Sequence, residues 1–284
     1  GSGVASSGVS GSVSVYSGKA TSGNSGALVI STGQSTGGQG GDITITVGDT
    51  NTASTAGGDM VLGAGHTRAA TSVGGAVSIY AGDATNAGGL IDIQTGTSSG
   101  QTSGTILMAT GLGSHSSGDI TIRSANSPKG VTGDLTFSSG TTTSGVSGSL
   151  NIGTGQATSG TGGSISITVG SGDTGAGGDV TVTAGQSRAS SSSDGGDVVV
   201  AAGQGNGGGG DVSISAGVGD TLTGGEIMIT TGVGTTASSG ELYVRTADTT
   251  KGVTGSMIFG SGVASSGVSG SVSVYSGKAT SGNS

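Results

Sequence analysis

The chain has no cysteine, no tryptophan and a single proline in 284 residues, and aromatic side chains make up only 2% of it. Without cysteine there is no disulfide framework and no thiolate zinc site. Charge is scarce too: eight Lys and Arg face sixteen Asp and Glu, a formal net charge of −8. Nucleic-acid binding needs clustered cations, so this balance argues against it. No apolar run approaches the roughly 20 residues of a membrane-spanning helix. An initiator methionine and a signal peptide are also missing, so the expected object is a mature piece or fragment of a longer chain.

What is abundant is glycine, 67 residues, among many Ser and Thr. Such a composition is common in flexible low-complexity chains. Disorder, however, goes with high net charge and few β-branched residues. Here the net charge is small and Val, Ile and Thr recur on a fixed beat, which predicts an ordered repeat.

The beat is visible in "GGDITITVG" (40–48) and "GGDMVLGAG" (57–65). Each unit opens on Gly, follows with a polar or small residue, and places aliphatics at the third and fifth positions. The opening glycines are Gly11, Gly26, Gly41, Gly58, Gly75, Gly89, Gly104, Gly118 and Gly133, then Gly148, Gly163, Gly178, Gly196, Gly210, Gly225, Gly240, Gly255 and Gly270. The spacing is mostly 15, with extremes of 14 and 18. Ile43, Ile45 and Val47 alternate with Asp42, Thr44 and Thr46, the period-two signature of a strand with one buried face. The same alternation, the β-branched residues and the glycine interruptions exclude helix. Segments between strands, such as "GKATSGNS" and "GQSRASSSSDG", vary in length and read as corners; their flanking glycines fit positive φ.

A longer period lies above the short one. Residues 1–25 recur unchanged at 260–284, and "SPKGVTGDLTF" (127–137) answers "TTKGVTGSMIF" (249–259). The whole chain, 1–284, therefore reads as one continuous array. Residues 1–132 form a first long copy of nine units that begins in mid-unit, 133–254 a second copy of eight, and 255–284 the start of a third. The extra unit is 26–40. Gain or loss of a whole unit is what a quasi-one-dimensional stack tolerates.

The expected fold is all-β: a parallel β-solenoid of about eighteen strand–loop units. Winding with one unit per turn competes with winding two units per turn. The second is preferred, because two facing sheets let the aliphatics meet as a continuous hydrophobic spine. Nine rungs would then run roughly 43 Å. Two or three aliphatics per unit set against the ordering entropy of a glycine-rich chain leave little stability per unit, so isolated short pieces are expected to fold poorly.

No catalytic, cofactor-binding or metal-ligating residue is assigned. His66 and His115 sit in loops without an evident partner, and the Gly-x-Gly triplets open no helix that could cradle phosphate. Asp42, Asp59, Asp119, Asp134, Asp179, Asp197, Asp211, Glu226 and Glu241 share the second place of the unit. They read either as recurrent calcium ligands, as in nonapeptide solenoids, or as solvated carboxylates that discourage strand aggregation. Outward Thr and Ser, such as Thr44 with Thr46, offer an ice-binding face, but Val61, Tyr80, Arg123 and Tyr243 interrupt the ranks. Lys129 with Lys251, Arg123 with Arg245 and Arg68 with Arg188 hold equivalent places, and could pair with carboxylates across stacked loops or between laterally packed fibres, or serve only as solvated charges.

The phrase "GGDITITVG…GGDMVLGAG", the Ser/Thr-rich corners and the near-identical long repeat resemble two groups. One is the very long Gly/Ser/Thr-rich repeat regions of cell-surface and secreted proteins of diatoms and related algae. The other is the stalk repeats of bacterial adhesins and phage tail fibres. The resemblance spans the whole chain, carries no family site residues, and implies an extracellular or cell-surface, fibre-forming or adhesive role. The expected function is therefore a non-catalytic structural segment of a secreted fibre. It would associate with itself end to end and laterally, and would contact polysaccharide, glycans or mineral. The alternative is a binding module for calcium or ice.

Overall fold

The computed structural model describes residues 1–7, 9–51, 56–188 and 193–278. Residues 189–192 of the corner "GQSRASSSSDG" and the last six residues of the 260–284 repeat lie outside these.

The architecture overturns the β-solenoid. Among the described residues there is no strand, no sheet and no helix. No side chain of the described residues is buried, so among them neither facing sheets nor a hydrophobic spine is present. The chain exposes 27836 Å² at a mass of 26.0 kDa. A folded monomer of this mass exposes about 10,500 Å² and a fully extended chain about 37,700 Å².

The reason lies in what alternation can and cannot specify. Apolar residues two apart fix an extended backbone and gather side chains on one face. That local consequence is present. Val61 is 87% exposed between Met60 at 51% and Leu62 at 73%, and Ile258 is 88% exposed between Met257 at 45% and Phe259 at 71%. Gln94 Nε2 donates to Asp92 Oδ2 at 2.7 Å, two polar side chains of one face meeting across the intervening Ile93. A ladder additionally requires the N–H and C=O groups of one segment to meet those of another. Nearly all the backbone–backbone hydrogen bonds here close loops instead, joining the opening glycine of one unit to a glycine of the unit before it.

Those closures give the chain its order. At every opening glycine the backbone comes back against a small residue that ended the previous extended segment. A Cβ placed on Gly75 would lie 3.4 Å from Ala64 Cβ, one on Gly148 3.4 Å from Ser139 Cβ, and one on Gly163 3.3 Å from Thr154 Cγ2. The partner is Ala, Ser or Thr throughout, except for Val47 and Val169, whose Cγ1 atoms lie 2.8 and 2.9 Å from the corresponding positions on Gly58 and Gly178. The least exposed residues of the chain include several of these partners: Ala64, Ala81, Thr95, Ser124, Ala184, Thr231 and Thr246. The repeat is thus an extended aliphatic segment followed by a loop pinched shut at its neck.

The chain divides into two parts, Gly1–Phe137 and Ser138–Ser284. In the first part, loops close by a backbone bond at Gly75, Gly89 and Gly104, which donate to Gly65, Gly82 and Gly96 at 2.9, 2.9 and 3.2 Å. In the second part the same bond joins Gly196 to Gly185, Gly210 to Gly203, Gly225 to Gly217 and Gly240 to Gly232, at 2.9 to 3.1 Å. A second kind of loop carries a positive-φ glycine three residues before the opening glycine: Gly23 and Gly130 in the first part, and Gly145, Gly160, Gly175, Gly252 and Gly267 in the second. Among the described residues no loop belongs to both kinds. Gly3, at φ 81, lies outside this placement. The opening glycines themselves do not have positive φ. A side chain would be crowded at Gly58 and Gly178, where a Cβ would lie 2.8 and 2.9 Å from a valine methyl, and tight at Gly75, Gly89 and Gly104, at 3.1 to 3.2 Å, whereas at Gly26, Gly118, Gly133, Gly255 and Gly270 it would make only ordinary contacts of 3.7 to 3.9 Å.

Candidate functional site

Each repeat unit offers three elements: the second-place carboxylate, the exposed aliphatic pair, and the loop. The second-place acids are all exposed, and among the described residues no three His, Asp or Glu side chains gather as a metal would require. Consecutive acids are separated by a whole extended segment and a pinched loop, so their recurrence along the sequence does not become convergence in space. His115 Nδ1 lies 3.1 Å from Ser114 Oγ, its immediate neighbour in an exposed loop. A serine beside an imidazole with no third group to orient the ring lacks the base–orienter arrangement that activates a nucleophile. His66 lies in the loop closed by Gly65 and Gly75 and is exposed. The basic residues placed in corresponding positions, Lys129 with Lys251 and Arg123 with Arg245, are likewise exposed. The flat pleated surface on which the ice-binding expectation rested is not formed, because the described residues contain no sheet.

The loops have their own chemistry. Thr142 Oγ1 donates to Ser144 C=O at 2.8 Å and accepts from the Ser144 N–H at 3.3 Å. Thr249 Oγ1 repeats both bonds with Lys251, at 2.8 and 3.3 Å. In each case the next residue is a positive-φ glycine, Gly145 or Gly252. The hydroxyl satisfies backbone groups locally and presets the bend that this glycine completes. Ser35 and Ser98 similarly accept from the Gly38 and Gln101 N–H groups. Two hollows lie inside loops of this region of the repeat. One of about 600 Å³ is bordered by Tyr16, Lys19 and Gly23, and one of about 520 Å³ by Val263, Gly267 and Val268. Lys19 is the only charged group at either, so neither has the converging polar set that orients a ligand.

The feature that recurs most faithfully is the aliphatic face. Third-place residues such as Ile43, Ile91, Ile106 and Ile227 are half-exposed, and fifth-place residues such as Ile93, Ile167 and Ile229 more so. The partners at the loop necks were not singled out from the sequence, although a signal was present. The neck residue is Ala, Ser or Thr followed by Gly (Ser17–Gly18, Thr32–Gly33, Ala64–Gly65), except for Val47–Gly48 and Val169–Gly170 and for the corresponding pair Ser124–Ala125 and Thr246–Ala247.

No helix of the described residues is long and apolar enough to cross a membrane. Comparison with protein-family models, with curated proteins and with solved structures finds no match for the chain.

Proposed function

We propose that the chain is a non-catalytic structural segment of an extracellular or cell-surface fibre, and that it works by associating with other copies of itself. The observation that carries this reading is the recurrence of one exposed aliphatic face and one pinched loop at every opening glycine from Gly11 to Gly270. Catalysis asks for a few different groups brought to one place. Here the same few groups are dealt out along the chain at a constant interval, which suits multivalent contact. The hydroxyl-rich loops would be the part that meets polysaccharide, glycans or mineral, and the adhesive role follows from them. No specific observation favours the calcium or ice alternative.

The test is the solution state of the purified chain. Sedimentation velocity over a wide concentration range should show mass growing with concentration, and electron microscopy should show thread-like assemblies. A monodisperse monomer at all concentrations would overturn the proposal.

A further inference from the structure

We infer that the third- and fifth-place aliphatics are the docking surface for a second copy of this chain, with the two copies meeting in steps of whole repeat units and the loops left facing water. This rests on the self-associating reading above and adds the face and the register.

Three observations commit the face to a second copy. The first is area. The chain exposes 27836 Å², about 17,000 Å² more than a folded monomer of its mass. A stable protein–protein interface needs about 1,600 Å², so covering a tenth of that excess is enough. The second is spacing. The face recurs at intervals of mostly 15 residues, with a pinched loop between successive faces. A second copy of the chain carries the same interval. Because residues 260–278 repeat residues 1–19, one end of the chain also offers the face of the other. The third is charge. A net charge of −8 spread over 284 residues opposes pairing weakly. It also disfavours an anionic lipid surface, which attracts basic flanks and aromatic anchors; aromatics are 2% of the chain.

The alternation along the sequence also sets which side chains are to meet. Ile165 and Ile167 share one side of their segment, with Ser164 and Ser166 on the other; Val180 and Val182 do the same one unit later, opposite Thr181. Half-exposed third-place residues, 55% at Ile165 and 58% at Val180, lie next to the neck, and the fifth-place residues stand further out. An aliphatic pair meeting an aliphatic pair removes both from water while the flanking hydroxyls remain hydrated. A slip of one residue would instead set Ile165 against a Thr or Ser face, losing that burial at every unit together. Steps of whole units are therefore the registers that bury the faces.

The absence of native cysteine makes the test direct. Chains carrying Ile165→Cys are mixed under mild oxidation with differently tagged chains carrying either Val180→Cys, on the face, or Thr181→Cys, off it. A disulfide requires Cα atoms about 5.5 Å apart. The inference expects the Ile165→Cys/Val180→Cys heterodimer in about tenfold excess over the Ile165→Cys/Thr181→Cys product, a preference of about 1.4 kcal/mol. Equal yields, or an excess of the off-face product, overturn it. A second variant, Ile165→Asn with Ile167→Asn, Val180→Asn and Val182→Asn, should raise the concentration for half-assembly about tenfold or more. If it assembles like the parent, the face assignment is wrong and the fibre reading stands. If the parent chain itself never assembles, both are wrong.

Discussion

Two stretches of the second part, 138–178 and 185–240, contain loops of similar size and composition yet close them differently. Up to Gly178, each loop turns on a glycine in the left-handed region: Gly145 at φ 102, Gly160 at φ 152 and Gly175 at φ 83. From Gly185 onward, each loop is tied by an N–H···O=C bond between the glycine after the neck residue and the opening glycine. In the first stretch the opening glycine is approached by side chains, Ser139, Thr154 and Val169. In the second, backbone joins the neck side chain in that approach: a Cβ on Gly225 would lie 3.3 Å from both Ala216 Cβ and Gly217 N. The lesson is that a loop can be shut by its own curvature or by a bond across its mouth, and that this chain alternates the two in blocks.

The largest effect is expected at a glycine on which a loop turns. Replacing Gly145 by Ala forces a Cβ into the left-handed region, at about 1–2 kcal/mol. The 139–148 loop should rearrange, read as changed backbone couplings and amide shifts over residues 141–147. Leu222→Ala, at the same place in a bond-tied loop, should leave residues 217–225 unchanged. Equal perturbation by both would erase the distinction.

Next, Gly225→Ala crowds backbone that cannot rotate away and weakens the Gly225–Gly217 bond, worth about 1 kcal/mol. Its amide should exchange with solvent severalfold faster, whereas Gly148→Ala meets only the Ser139 Cβ at 3.4 Å and should disturb its loop less. In the parent chain the Gly196, Gly210 and Gly225 amides should exchange more slowly than those of Gly148 and Gly163.

Thr142→Ala and Thr249→Ala each remove the paired hydroxyl bonds ahead of a positive-φ glycine. They should loosen the 141–147 and 248–254 bends by about 0.5–1 kcal/mol, seen as local shift changes. Thr154→Val, which deletes a single exposed 3.2 Å bond to the Gly163 carbonyl, should produce the smallest effect, below about 0.5 kcal/mol.

The local half of this structure was legible in the residues. Alternation at Ile43, Ile45 and Val47 specified extended segments with two faces, and the glycines at Gly11 through Gly270 marked where the chain turns back. The positive-φ positions were legible in kind: seven of them are a glycine three before an opening glycine. Gly38 and Gly207 occupy that place without positive φ, and Gly207 lies in a loop already tied by the Gly210–Gly203 bond. Pairing between segments was not legible. An aliphatic face states that something apolar will cover it, but the partner is not encoded in the period, and a segment with two or three Val or Ile residues gains little by supplying the cover itself. The acids at Asp42, Asp59 and their counterparts show the same gap, since equal places along a chain need not be neighbours in space.

The pinch at each neck has a further consequence. Because Ala64 and Gly75, eleven positions apart, lie close together as Thr110 and Gly118 do at eight, what lies between them is a bight that can lengthen without pulling on the cord. Foreign peptides spliced into such bights, an epitope or an enzyme tag, would hang from the strand at regular intervals while its spacing stayed as nature set it.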